Sequence, residues 1–142
     1  MLRKITSTTA SWAPVPLRLA MGIAFIGHGS QKVLGKFGGP GWAKWTSMSQ
    51  AVPFPFMRPA WFWLAAAAVS ELVGGILVLL GLFTRVGAFF IACTMVTAIR
   101  LLWPAFFPPA GIELPLAMLA GALALLITGG GQASVDRMIA RR

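Results

Sequence analysis

The sequence predicts an all-α fold, an integral membrane four-helix bundle that forms a single membrane domain over residues 1–142. Of these residues 58% are hydrophobic and 11% are charged, whereas a soluble domain carries roughly 45–50% apolar and about 25% charged residues. One crossing of a bilayer takes ~20 apolar residues, so the chain has room for about four spans and for no separate soluble domain. Prolines, glycines and charges separate the apolar runs where connections are needed.

The spans are predicted at about residues 14–34, 60–82, 86–107 and 112–128. The first is the most polar, with Arg18 near one end and three polar residues near the other, so we expect it to insert only with protein neighbours covering its polar side. Pro104 and the prolines after it end the third span, and three glycines follow the fourth. Residues 134–142 form an amphipathic tail that contains a short helix capped by Ser134.

A long Trp-rich loop connects the first and second spans. It is rich in glycine and proline, but Trp42 and Trp45 lie at helical spacing within the segment 42–52. This pattern predicts a short helix on the membrane surface, with its tryptophans at the level of the lipid headgroups. The loop is also a candidate surface for a protein partner.

The formal net charge of +9 comes from cations in the tails and connections, not from a basic stripe on a folded face. We therefore expect no nucleic-acid partner, and expect the lipid bilayer to be the partner of these charges. More cations lie on the side of the two tails, which carry Arg3, Lys4, Arg141 and Arg142. The positive-inside rule accordingly predicts cytoplasmic N- and C-termini, with the Trp-rich loop outside.

Cys93 and His28 are the only cysteine and histidine of the chain. One copy therefore cannot form a disulfide, a thiolate cage or a bis-histidine haem site. No ligand spacing indicates a metal site. We therefore expect no redox cofactor within the chain itself; such a cofactor would be quinone-like, shared between subunits, or absent.

Ionisable and amide side chains within the spans form the candidate polar site. They are His28, Gln31, Lys32, Glu71, Arg100 and Glu113. From the rise per residue of a helix, we expect Glu71 to lie ~16 Å from the outer edge of the membrane. His28, Arg100 and Glu113 are expected to lie nearer to that edge. Because charges are costly inside a membrane, we expect these groups to face one interior pocket. The alternative is purely structural: Arg100 pairs with Glu71 or Glu113, and Lys32 extends to the membrane surface.

Four segments in this order resemble the DoxX family of small four-helix membrane proteins. They are His28-Gly-Ser-Gln31-Lys32, the run from Glu71-Leu-Val-Gly74-Gly75 to Thr84-Arg85, Glu113-Leu-Pro-Leu116, and the closing Gly129 to Asp136. The resemblance implies a four-span bundle in the bacterial cytoplasmic membrane, and kinship with the DoxD-type subunit of thiosulfate:quinone oxidoreductases. The motif positions are His28, Gln31, Lys32, Glu71, Thr84, Arg85 and Glu113.

The residues and the resemblance leave three functions open. In the first, a redox-associated accessory subunit contacts quinone, with His28 or Lys32 donating to a carbonyl, Arg100 stabilising negative charge and Glu71 relaying protons. In the second, the chain is a scaffold of a larger membrane complex, or self-associates, and has no chemistry of its own. The third, a small-molecule transporter, is weakened by the absence of inverted repeats. The sequence does not decide whether the protein is an enzyme.

Overall fold

The computed structural model describes residues 6–109 and 111–141, and within them the fold is all-helical with no strand. The all-α prediction is therefore confirmed. The helices are α1 (Pro14–Leu34), α2 (Gly41–Ser47), α3 (Ala60–Leu80), α4 (Thr84–Leu102), α5 (Glu113–Thr128) and α6 (Val135–Ala140), with 3₁₀ turns at Lys36–Gly38 and Ser49–Ala51.

Helices form in each segment where the sequence predicts a span, but the third ends early. Helix α4 stops at Leu102, not at residue 107, and Trp103 has an extended backbone (φ −61°, ψ 137°). Trp103 precedes a proline, whose ring disfavours helical geometry in the residue before it. In the Trp-rich loop the predicted helix is also shorter: α2 ends at Ser47, and the chain continues in a 3₁₀ turn.

Two helices of the described chain, α3 and α4, are long and apolar enough to cross a membrane by themselves. Helix α1 has 21 residues but contains Arg18 and Lys32, and α5 has 16 residues. These two helices would therefore depend on their packing against α3 and α4 to occupy a bilayer. The prediction of four spans rests on this packing.

Glycines bring α1 and α3 into close antiparallel contact. A Cβ atom on Gly22 would lie 2.6 Å from Cβ of Leu79, and one on Gly75 would lie 2.7 Å from the backbone nitrogen of Ile26. A Cβ on Gly29 would likewise collide with the backbone of Leu72. Since contacts this close leave no room for a methyl group, the glycines fix both the distance and the register of the two helices.

Helices α3 and α4 cross at Gly74 and Gly87. A Cβ on Gly87 would lie 2.9 Å from the carbonyl oxygen of Gly74. Helix α5 packs against α4 and completes the bundle. The core comprises Met21, Phe25, Val78, Ala88, Ile91, Ala92, Met95, Ala122 and Leu125. We call the end of the bundle that carries the Trp-rich loop the loop end.

Two buried charged residues hold the opposite end. Arg18 donates from Nε to the carbonyl oxygen of Val78 (2.9 Å) and from Nη2 to that of Leu79 (2.8 Å), and its Nη1 reaches the carbonyls of Gly130 and Ala133. The guanidinium thus binds carbonyls of the last turn of α3, which lack the usual helical partner four residues on, although the carbonyl of Val78 also accepts from the nitrogen of Gly81. Its positive charge is also favourable at a helix C-terminus.

Asp136 supplies the corresponding contacts at the start of α4. Its carboxylate accepts hydrogen bonds from the backbone nitrogens of Phe83 (2.7 Å) and Thr84 (2.9 Å), and from the Thr84 hydroxyl (2.7 Å). It therefore caps the N-terminus of α4 from a helix that lies at the other end of the sequence. Ser134 caps α6 itself, as predicted, by accepting from the backbone nitrogen of Arg137 (3.2 Å). We call the Arg18 and Asp136 contacts the clasp.

We predict that Gly29→Ala lowers the free energy of unfolding by about 1–3 kcal/mol, because the new methyl group meets the backbone of Leu72, which cannot rotate away. Gly27→Ala is the matched control on the same helix, because a Cβ there meets no atom within 4 Å. Thermal unfolding in lipid nanodiscs, followed by circular dichroism, measures both. Equal stability of the two variants would show that α1 and α3 do not depend on this contact.

Candidate functional site

A cavity of about 320 Å³ lies between α3 and α4, toward the loop end from their crossing. Every α3 residue that lines it precedes Gly74, and every α4 residue that lines it follows Gly87. The two helices therefore leave a space beyond the point where they touch. Residues of the Trp-rich loop cover this space at the loop end: Trp45, Ala51, Val52 and Met57.

Small side chains on α3 create the volume. Ala66, Ala67 and Ser70 face the cavity, whereas aromatic rings from Trp63, Phe89 and Phe90 form much of the remaining wall. Flat apolar walls of this kind suit a planar, largely apolar ligand.

A partly buried ion pair forms one wall of the cavity. Lys32 of α1 donates from Nζ to Oε2 of Glu71 of α3. Glu71 is only 4% exposed, although it lies in the most apolar helix of the chain. Its second carboxylate oxygen, Oε1, makes no hydrogen bond within the described residues. The register of α1 and α3, set by the glycines, brings the two side chains together.

Trp45 covers the lysine. Nζ of Lys32 lies 4.9 Å from the centroid of the Trp45 ring, which is the geometry of a cation–π contact. The Trp45 indole nitrogen donates to the carbonyl oxygen of Leu64 at 2.7 Å, and this bond ties α2 to α3. The short loop helix is thus held over the ion pair by contacts with both long helices.

The structure brings together three of the residues that the sequence singled out, namely Lys32, Glu71 and Trp45. The others do not line the cavity. His28 and Arg100 are exposed, Gln31 and Glu113 are half-buried on other faces, and Trp42 is exposed on α2.

Lys32, not Arg100, is the partner of Glu71. Among the described residues Arg100 forms no ion pair, and Lys32 turns toward α3 and binds Glu71. The position of a residue along a helix gives its depth in the membrane. The rotation of the helix about its own axis, which packing decides, determines which face turns inward. His28, Gln31 and Lys32 share a stripe, yet only Lys32 lies near enough to α3 to reach the carboxylate.

Sequence analysis did not identify the other polar residues of the cavity, which are Ser70, Cys93, Thr94 and Thr97. Thr94 and Thr97 donate to carbonyls of their own helix, at 2.8 Å and 2.9 Å. The Ser70 hydroxyl makes no hydrogen bond in the part of the chain that the structure describes. The available signal was its position beside Glu71, in a run that is otherwise apolar.

The arrangement offers a compact set of polar groups beside apolar walls. The Lys32 ammonium and the Ser70 hydroxyl are donors, and Oε1 of Glu71 and the threonine hydroxyls are acceptors. In these surroundings of low polarity, hydrogen bonds to a ligand are stronger than they are in water. The cavity is therefore suited to a small planar molecule that carries carbonyl or hydroxyl groups.

We predict that Lys32→Met alone lowers the free energy of unfolding by about 3–5 kcal/mol, because it leaves Glu71 buried without a counter-charge. The double variant Lys32→Met/Glu71→Leu removes both charges and should recover most of that loss. Unfolding in nanodiscs of the two single variants and the double variant gives the coupling between the positions. Additive losses would show that the two side chains do not interact.

Comparisons with known proteins place the chain in a family. The sequence profile of the DoxX family matches residues 13–106. The chain is also similar to the uncharacterized membrane protein Rv3486 of Mycobacterium tuberculosis, with 34% identity over 145 residues, which covers 89% of this chain and 80% of the relative. No solved structure matches the chain. The chain therefore belongs to the DoxX family and is a membrane protein.

Proposed function

We propose that the protein binds the headgroup of a membrane quinone in the cavity and acts as an accessory subunit of a redox complex. The observation that supports this is the Lys32–Glu71 ion pair, which is partly buried in the wall of a largely apolar cavity. Buried charges in a membrane domain are costly and are found mainly where they serve a substrate, an ion or a proton.

A quinone headgroup fits the chemistry of this wall. The ring is flat and apolar on its faces, which suits the rings of Trp63, Phe89 and Phe90. Its carbonyl oxygens accept hydrogen bonds, and the donors are the Lys32 ammonium and the Ser70 hydroxyl. The cavity volume of about 320 Å³ lies in the range of small-molecule sites.

The accessory role follows from what quinone reduction needs. A quinone becomes a quinol by taking up electrons and protons. Glu71 and Lys32 can exchange protons with the oxygens of a bound ring. The chain has one cysteine and one histidine, too few for a haem or iron–sulfur centre within one copy, so the electrons would come from a partner subunit.

A second candidate is a scaffold subunit without its own chemistry. It is favoured by His28 and Arg100, which lie on exposed surfaces of long helices. Polar groups in such positions are stabilised when another protein covers them. Mild-detergent purification followed by mass spectrometry tests this candidate: recovery of a reproducible partner supports it, and recovery of the chain alone contradicts it.

We further propose the bacterial inner membrane as the location, with both termini in the cytoplasm. Residues 9–11 and 128–132 lie at the same end of the bundle, since the backbone nitrogen of Thr9 donates to the carbonyl oxygen of Thr128 (2.9 Å) and that of Gln132 to the carbonyl oxygen of Ser11 (2.8 Å). Arg85, Arg137 and Arg141 add positive charge at this end. Arg3, Lys4 and Arg142, which the sequence also assigned to it, lie outside the described residues.

We predict that alkaline phosphatase fused after Arg142 is inactive in cells and that a green fluorescent protein fused there is fluorescent, because the C-terminus is cytoplasmic. The phosphatase folds only in the oxidising periplasm. In the complementary experiment the phosphatase is inserted within the exposed turn at residues 36–38, and there it should be active, because this turn is expected in the periplasm. An active fusion after Arg142 would invert the proposed orientation.

We predict that the double variant Lys32→Met/Glu71→Leu loses ten- to a hundredfold of the affinity for a quinone, because hydrogen bonds to charged groups contribute about 1.5–3 kcal/mol. The assay is quenching of tryptophan fluorescence by a naphthoquinone, with the protein in nanodiscs. His28→Ala is the control, since His28 does not line the cavity, and its affinity should stay within twofold. Unchanged affinity of the double variant, or no binding by the wild type, would contradict the proposal.

A further inference from the structure

The side of the cavity formed by the middle of α4 is open. Phe89 and Phe90 line the cavity and are 51% and 46% exposed, and Cys93 also lines it and is exposed. At the loop end, by contrast, Trp45, Val52 and Met57 cover the cavity and are themselves half-buried. The flank of α4 is therefore open beyond the part of the cavity that the loop covers, and near the loop end Trp63 and Leu101 are also 36% and 44% exposed.

This open flank lies at the depth of the membrane interior. Cys93 is at the centre of α4, which runs from Thr84 to Leu102, so it is about 14 Å along the helix from either end. In a helix that crosses a ~30 Å hydrocarbon layer, this position faces acyl chains. The cavity thus opens toward lipid and not toward water.

From this placement we infer that ligands enter the cavity from within the bilayer, through the flank bounded by Phe89, Phe90 and Cys93. We further infer that the ligand is a head-and-tail molecule. Its polar head lies at the Lys32–Glu71 pair, and its apolar chain leaves through the flank into the lipid. The inference rests on the proposed function for the identity of the head as a quinone ring, and it adds that the isoprenoid chain occupies the opening.

The chemistry of the opening suits a hydrocarbon chain. The rings of Phe89 and Phe90 meet edge to face with centroids 5.6 Å apart, and together they form a continuous apolar surface at the edge of the cavity. The nearby hydroxyls of Thr94 and Thr97 donate to carbonyls of their own helix. An apolar chain that passes them therefore leaves no hydrogen-bond donor of these residues without a partner.

Cys93 permits a direct test because it is the only cysteine in the sequence. Purified protein in proteoliposomes is labelled with a maleimide that partitions into the bilayer, and the labelling rate is measured with two quinones. One is a 2-methyl-naphthoquinone with a long isoprenoid chain at position 3, and the other is 2,3-dimethyl-naphthoquinone. The quinone ring of each compound is substituted at both C2 and C3, so neither has an unsubstituted quinone-ring carbon to which the thiol could add.

The long-chain quinone should slow the labelling of Cys93 at least fivefold, whereas the dimethyl compound should leave the rate within twofold. The control is Cys93→Ala/Val96→Cys, which moves the thiol to an exposed position on α4 that does not line the cavity. Labelling at position 96 should be as fast with either quinone as without. Fluorescence quenching in the same vesicles reports whether each ring is bound.

Three outcomes would overturn the inference. If both rings bind but the long chain does not protect Cys93, the chain does not use this opening, and quinone binding itself stands. If positions 93 and 96 are protected equally, the effect comes from quinone dissolved in the bilayer. If the wild type binds neither ring, the proposed function fails and the chain route fails with it.

Discussion

The close approach of α1 and α3 is the contact on which the rest of the structure depends. Because Gly22, Gly29 and Gly75 have no side chains, the two backbones touch at several levels, and only one register allows this. That register puts Lys32 beside Glu71, so that a carboxylate deep in an apolar helix gains a counter-charge. It also gives α1, too polar to be stable alone in lipid, a surface against which Arg18 is buried and Lys32 is partly covered, whereas His28 stays exposed.

The cavity is a consequence of how small residues are distributed along α3. Where Gly74 meets Gly87, the helices touch; closer to the loop, alanines and a serine are too short to fill the growing distance between them. The loop completes the enclosure through Trp45, which is attached to Lys32 on one side and to the Leu64 carbonyl on the other. Site and scaffold therefore share residues: the ion pair that stabilises the packing of α1 and α3 is also the polar wall of the cavity.

Hydropathy and helix-breaking residues were enough to locate the four long helices, because both signals are local. The predicted third span extends past Pro104 to residue 107, whereas α4 ends at Leu102, because proline disfavours helical geometry in the residue before it and lacks the N–H that would continue the helix. The site was predicted in part: Lys32, Glu71 and Trp45 meet, while His28, Gln31, Arg100 and Glu113 lie elsewhere. The spacing of residues along a helix shows which side chains share one face. Which way that face turns depends on contacts with residues distant in sequence, such as the glycines of α1 and α3. The contacts of the clasp could not be predicted for the same reason. Arg18 and Asp136 bind backbone carbonyls and amides, which every residue has, so the sequence does not indicate which of them are the partners.

The clasp has a consequence for biosynthesis. The turn between α3 and α4 leaves the ribosome long before Asp136, which supplies the carboxylate for the amides of Phe83 and Thr84. During translation this hairpin can enter the bilayer with its turn still hydrated. It reaches its final form only after the C-terminal helix has been made and has docked. Synthesis as far as residue 136 is thereby linked to closure of the bundle, and a nascent protein truncated before this residue would lack the cap of α4.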